Sequence, residues 1–487
     1  MKNHAKLIFL FFISIVTLTG CNDDAIFSPH VKTSNGVTTV SGIRPGGLGE
    51  ALLLSKGFVT SLVINDTIDS RDFKTMRDDM PKLSVIDLSN ATIAAYNGYE
   101  GTAGTRVYRY SANAIPEFAF YNPETSFGKL KLTYFKFPKN LKSIKYFAFN
   151  HTGLSGTLEI PTTVKDTIGK SAFSFCPYLT GLTLSGTRYI SESAFQGCSN
   201  LTGTIIIPDS TVTIKSWAFA FCNKISSIKI AGTVSNIDKN AFTNCSATFT
   251  VDSSNTSFSA IDGVLFNSDQ STLIQYPTNK TGAYSVPSGV GTIANSAFYN
   301  CTGLSAISFP ATLNTIDNYA FSGCSGLTGQ FPVSSAIYSI GESVFEGCTN
   351  ITGFQIAPEN TTFSYSNGLL TDLGQMMIKR CIYSTAGNLE ILPGIMFIET
   401  NAFSNCTKLT SINIPESILY IGTRAFYNCN GLTAIHIKSK TPVDLSSSEY
   451  VFEGISKSGC KLYVPVGTKA AYKNSIGWKE FYNIIEE

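Results

Sequence analysis

Short runs in which apolar and polar residues alternate recur along this chain at near-regular intervals. Leu179-Thr180-Gly181-Leu182-Thr183-Leu184, Ile225-Ser226-Ser227-Ile228-Lys229-Ile230 and Leu409-Thr410-Ser411-Ile412-Asn413-Ile414 are examples. An extended strand sends successive side chains to opposite faces, so Leu182 and Leu184 are expected inside and Thr183 outside. Several of these runs end at a proline (Pro138, Pro161, Pro208, Pro310, Pro415). Proline has no N–H for a ladder, so the chain is expected to turn there. A second pattern, Ile-x-x-x-Ala-Phe, recurs with its phenylalanine at 120, 149, 173, 195, 219, 242, 298, 321, 345, 403 and 426; alanine is replaced only by Val344. Consecutive phenylalanines are mostly 22 to 24 residues apart. Such a period signals a solenoid, in which each coil buries its apolar face against the next. The expected fold is an α/β repeat solenoid, a parallel-sheet horseshoe-like array with little helix. Ala-Phe pairs should stack as a continuous spine.

The ends and the gaps read differently. Residues 37–114 read as an N-terminal cap. Leu62-Val63-Ile64 and Val85-Ile86-Asp87-Leu88 are strands there, with a short helix over 70–80, capped by Asp69 or Ser70 and stopped by Pro81. Residues 438–487 read as a C-terminal cap: a strand at Leu462-Tyr463-Val464, a short helix, and Trp478 covering the last coil. The two long gaps, 242 to 298 and 345 to 403, each hold one repeat plus an insert. The inserts, near 249–288 and 354–394, resemble each other: Asn255 to Phe258 parallels Asn360 to Phe363, and Asp262-Gly263 parallels Asn367-Gly368. Asp-Gly and Asn-Gly between apolar runs signal hairpin turns.

The combined motif Cys-x-x-Leu-x-x-Ile-x-Leu-Pro with Ile-x-x-x-Ala-Phe resembles BspA-like, or treponemal-type, leucine-rich repeats over about residues 115–437. The resemblance implies a right-handed horseshoe-like solenoid and a role in adhesion or protein binding.

The first 20 residues read as an export signal. Lys2 and Lys6 precede the apolar run Leu7 to Val16, which is too short to span a bilayer as a stable helix. Leu18-Thr19-Gly20-Cys21 then resembles a bacterial lipobox, which implies acylation of Cys21. Asn22-Asp23-Asp24 resembles the tag that sends lipoproteins to the outer face in some Gram-negative bacteria. Residues 21–36 read as a polar tether, and the expected location is the outer membrane, exposed on the cell surface. Without the signal the chain carries 34 basic and 34 acidic residues. That balance offers no electrostatic footprint for nucleic acid.

Candidate chemistry is sparse. Of 12 cysteines, nine lie three residues after a repeat phenylalanine: Cys176, Cys198, Cys222, Cys245, Cys301, Cys324, Cys348, Cys406 and Cys429. Export suggests disulfides. Equivalent positions on adjacent coils, however, stand about 4.8 Å apart with parallel side chains, beyond the usual Cβ–Cβ reach of a disulfide. A ladder of buried free thiols is therefore expected, with Cys381 and Cys460 outside the pattern. Four histidines, no Cys-x-x-Cys cluster and no catalytic motif leave no metal, no cofactor and no enzyme activity to expect.

Binding has two candidate surfaces. One is the row of outward mid-strand residues Lys136, Glu159, Thr183, Ile206, Lys229, Ser308, Gln355, Asn413 and His436, expected to line up on one face and to hold no aromatic. The other is the loop 96–110, with Tyr96, Tyr99, Tyr108 and Tyr110 among glycines. The expected function is a surface-anchored leucine-rich-repeat protein that binds host or extracellular proteins. The alternative is a glycan-binding accessory lipoprotein, favoured if the tyrosines form an exposed platform.

Overall fold

The computed structural model describes residues 28–104, 107–374 and 376–487. Cys21 and the export signal lie outside them. Strands stack coil upon coil along the described chain, and helix is confined to short pieces near the two ends. Two parallel ladders run along the stack. The first contains the alternating strands, such as Ser227–Ile230 between Thr204–Ile206 and Thr248–Val251. The second is built from the isoleucine of the Ile-x-x-x-Ala-Phe motif. Ile115, Ile144, Ile168, Ile190, Ile214 and Ile237 stand opposite one another in six successive two-residue strands.

Between the ladders the phenylalanines fill the interior. Phe149, Phe173, Phe195, Phe219 and Phe242 stack with centroids 5.1, 5.6, 5.4 and 6.0 Å apart. Adjacent Ala-Phe pairs also share backbone bonds, as from Phe195 N–H to Ala218 O. Phe452 extends the spine one coil past the motif, stacking on Phe426 at 5.7 Å.

The turn carrying each phenylalanine after Phe120 needs two left-handed residues, two before it and two after it; at Phe120 only Phe118 is left-handed. In the Phe403 coil these are Asn401 (φ 59°) and Asn405 (φ 61°), and in the Phe345 coil Ser343 and Gly347. Asparagine and glycine tolerate this backbone best.

All eleven described cysteines are free and buried. Each regular thiol sits one coil beyond a carbonyl it can reach: Cys198 Sγ donates to Phe173 O at 3.1 Å and Cys222 Sγ to Phe195 O at 3.2 Å. Burial pushes the Cys176 thiol up to about 11 and that of Cys245 to about 12. In the Phe149 coil the slot is taken by Thr152, which bonds Phe149 O and touches Cys176 Sγ. His151, beside it, is exposed instead.

The inserts carry antiparallel hairpins: Phe258–Ile261 with Val264–Asn267, and Phe363–Ser366 with Leu369–Asp372. Asn255 and Asn360 anchor them identically. Each side-chain amide donates to two carbonyls of the preceding coil (Ala231 and Val234; Ser334 and Ile337). Each inner strand is buried on both faces and parts two cores. Leu265 packs with the core that begins at Val40, and its neighbours Val264 and Phe266 with the next. Leu370 belongs to that middle core and Leu369 to the one that ends at Ile484. The spine is therefore three stacks divided by two partitions, where a continuous one was expected.

At the N-terminus, Asp69 caps the helix Ser70–Lys74 in a reciprocal box with Asp72, followed by a π turn over Thr75–Asp79. Asp72 also accepts from Gly46 N and Leu48 N, fastening the first coil. The stretch expected to be tether up to residue 36 enters the fold earlier. His30–Ser34 pairs with Val37–Ser41, because Asn35-Gly36 supplies the two left-handed residues of a tight hairpin. At the other end Trp478 is fully buried against Phe452 and Tyr472, its Nε1–H on Val443 O. Among the described residues no helix is long and apolar enough to cross a membrane.

Candidate binding surface

The outward mid-strand residues are brought to one side of the strands but not into one unbroken row. Lys136 faces Asp87, with Nζ 3.4 Å from its carboxylate. Burial works against ionisation of Asp87, yet hydrogen bonds from Ser89 and Lys136 outweigh it and hold the carboxyl low. Glu159 stands opposite Thr183, Ile206 opposite Lys229, and Ser308 opposite Ser285, their hydroxyls 2.9 Å apart. Gln355 faces Pro332, and Asn413 faces His436. These pairs lie in separate short sheets.

The row is not free of aromatics, as had been expected. Tyr463, contributed by the closing strand Lys461–Val464, stacks on His436 at 4.4 Å with the rings 2° from parallel. Glu487 bonds the same imidazole at 3.0 Å and reaches Lys438 at 3.3 Å. The last position of the row is thus engaged by the chain's own C-terminal residues.

An opening on this face lies between Tyr134–Lys136 and Gly156–Glu159, which share no ladder. The two coils start together, with Ser155 N–H on Thr133 O, and then part. Phe135 and Phe137 stand where the following strands carry Leu158 and Ile160, then Leu182 and Leu184. Both rings pack edge-on against Phe149, at 4.9 and 5.9 Å. The cleft between has a volume of about 470 Å³. Phe135, Phe137 and Leu158 form its floor, and Lys136, Glu159 and Thr183 line it. It offers an apolar base with one cation, one carboxylate and hydroxyls.

The tyrosine segment forms a hairpin, Tyr96–Gly98 against Tyr108–Tyr110. Tyr110 is 4% exposed and its hydroxyl accepts from Ala103 N–H. Tyr96 packs on Tyr110 and lies under the Arg71 guanidinium, 4.5 Å from the ring centre. Tyr99 and Tyr108 remain open, 63% and 37% exposed. The hairpin is therefore part anchor and part surface. Among the described residues no group of three or more His, Cys, Asp or Glu side chains could hold a metal ion.

Six copies of the BspA type leucine rich repeat region match the chain, over residues 111–204, 166–282, 276–368 and 379–459. No curated protein gave a match. Among solved structures, the chain is similar to a leucine rich cell surface protein from Faecalibacterium prausnitzii, at 23% identity and a TM-score of 0.44, covering 84% of this chain and 95% of that one. A leucine-rich repeat protein from Bacteroides ovatus is 17% identical with a TM-score of 0.39, covering 89% and 99%. The Pneumococcal vaccine antigen PcpA is 19% identical with a TM-score of 0.39, covering 87% and 80%.

Proposed function

Because the chain belongs to the BspA-type leucine-rich repeat family, we propose that it is a non-enzymatic binding protein displayed on the bacterial surface by acylated Cys21. In this reading it takes an extracellular or host protein on its strand face. The observation that carries the proposal is the cleft floored by Phe135, Phe137 and Leu158 and bordered by Lys136 and Glu159. Interfaces draw most of their affinity from a few buried apolar anchors ringed by polar groups, and the cleft has that arrangement. The outward residues beyond it would supply the rim.

Two measurements test the two halves. Replacing Cys21 with Ala removes the acylation site, and acyl chains hold a protein to a membrane through their buried CH₂ groups. The variant is expected in the soluble fraction of lysed cells; persistence in the membrane pellet would refute the anchor. The full chain is then applied to arrays of extracellular matrix and host-surface proteins. Charge reversal at Lys136→Glu and Glu159→Lys should weaken a genuine interaction about tenfold or more. An array with no protein bound, or equal binding by the variant, would overturn the strand-face reading.

A further inference from the structure

The left-handed positions of the turns carry the argument. From Phe118 to Phe221 five of the nine are large rings (Phe118, Phe147, Phe175, Trp217 and Phe221), the others being His151, Ser171, Ser193 and Gly197; from Asn240 onward they are Asn, Gly or Ser except at Tyr319, Arg424 and Tyr450. A bulky side chain is disfavoured in this conformation. A purely structural demand would fall on every coil alike, since each makes the same turn. Here the costly residue type is most frequent between residues 118 and 221.

Those rings meet. Tyr146 lies 5.1 Å from Phe118 and 4.4 Å from Phe147. Tyr121 lies 5.2 Å from Phe147 and 6.3 Å from His151, and His151 stacks on Phe175 at 4.8 Å. The Phe175 ring then covers Gly197, where an added Cβ would come within 2.6 Å of it. The result is a strip that crosses successive coils. It stays open to solvent: Tyr146 is 37% and Phe175 44% exposed, and His151 is exposed as well. Polar groups lie along it. Tyr108, from the hairpin, neighbours Glu117, whose carboxyl is pushed up by burial and pulled back by Lys145. Partial burial lowers the His151 imidazole from its ordinary value.

We propose that this aromatic edge, from Tyr108 across Tyr146 and Phe147 to Phe175, binds a linear, neutral glycan. A pyranose presents a C–H face that packs on an aromatic ring and hydroxyls that bond phenol, imidazole and carboxylate. The edge supplies both. Its charges cancel locally, which fits an uncharged ligand and not an acidic one. It is a strip without a deep pocket, whereas protein anchors want enclosed sites. The proposal depends on surface display only for access to the ligand. It is independent of the strand face, which lies on other residues.

The test is binding of the full chain to cello-, xylo-, manno- and malto-oligosaccharides, with heparin as the charged comparison. The key variant is Phe147→Asn with Phe175→Gly, which installs residues that other coils use at these positions. Its melting temperature is expected to hold or rise, and its affinity for the bound oligosaccharide to fall about tenfold or more. Phe175→Tyr keeps the ring and should retain binding. Lys136→Glu with Glu159→Lys should leave this binding unchanged, which separates failure here from failure of the strand-face reading. Binding of heparin alone, no binding of any neutral oligosaccharide, or undiminished binding by the key variant would overturn the proposal.

Discussion

Replacing Phe195 with Ala should lower the stability of the first stack by about 3–5 kcal/mol, the usual cost of emptying a buried phenylalanine site. The ring is fully buried between Phe173 at 5.6 Å and Phe219 at 5.4 Å, both nearly parallel to it. Its neighbours belong to flanking coils that are themselves held by backbone bonds to the Phe195 coil. Collapse into the void would have to shift both, so little relaxation is expected. In a solenoid each coil contacts only its neighbours, and a local loss spreads along the stack until something interrupts it. The partition at Val264–Asn267 is that interruption. Hydrogen exchange in moderate urea should show protection falling for residues within 40–265 and unchanged within 403–484. A loss that reaches the last coils equally would show that the three stacks act as one cooperative body.

Much of this architecture was legible because the repeat exposes it many times over. One strand such as Ile225 to Ile230 is ambiguous, but its recurrence at a fixed offset from Ile-x-x-x-Ala-Phe is not. The free-thiol ladder followed from spacing, since equivalent side chains on stacked coils run parallel. What escaped was information carried by pairs that no period marks. The isoleucine at the head of the motif reads as core, and its two-residue strand is too short to show alternation. Phe452 has no isoleucine five residues before it and lies 26 residues past Phe426, so the motif misses it. The division of the spine turns on Leu265 and Phe266, adjacent residues that face different cores. An unbroken apolar run signals burial on both faces but does not say what lies on either side.

The candidate sites were legible in a similar measure. Outward positions could be read from alternation, and Lys136, Glu159 and Lys229 are exposed on the strands as expected. The cleft could not be read, because alternation does not say which neighbouring strands share a ladder and which part. Tyr463 and Glu487 reach His436 from 27 and 51 residues away, through a cap whose coil length departs from the repeat. The aromatic edge left a trace that could have been found: residues two before and two after each repeat phenylalanine vary between Asn or Gly and large rings. Only the positive φ shared by these positions makes that variation meaningful.

Lys379→Met should destabilise the last stack more strongly above neutral pH than below it. Lys379 and Glu399 are both buried and paired at the second partition. The next residue, Arg380, bonds Glu346 at 3.0 Å and Ser404 O at 3.1 Å and lies 4.2 Å from the Tyr383 ring centre. Asn401 reaches Ser343, so the cluster joins the coil before the insert to the coil after it. Burial pushes the Glu399 carboxyl up to about 7, with Lys379 pulling the other way. A raised acid binds its proton more firmly folded than unfolded, so its favourable contribution is present below about pH 4.3, the unfolded value, and is lost as the pH climbs through 7. Without Lys379 the opposing pull disappears, the carboxyl moves further up, and the loss extends to higher pH. The expected cost is about 3–5 kcal/mol at pH 8 and markedly less at pH 5. Urea unfolding followed by Trp478 emission in a Trp217→Phe background reads this stack directly. Lys379→Met with Glu399→Leu removes both charges and should recover most of the loss, since a buried ion pair gains little over apolar residues of similar size. Equal losses at both pH values, with no recovery in the double variant, would mean that packing of the Lys379 stem, not its charge, holds the coils together.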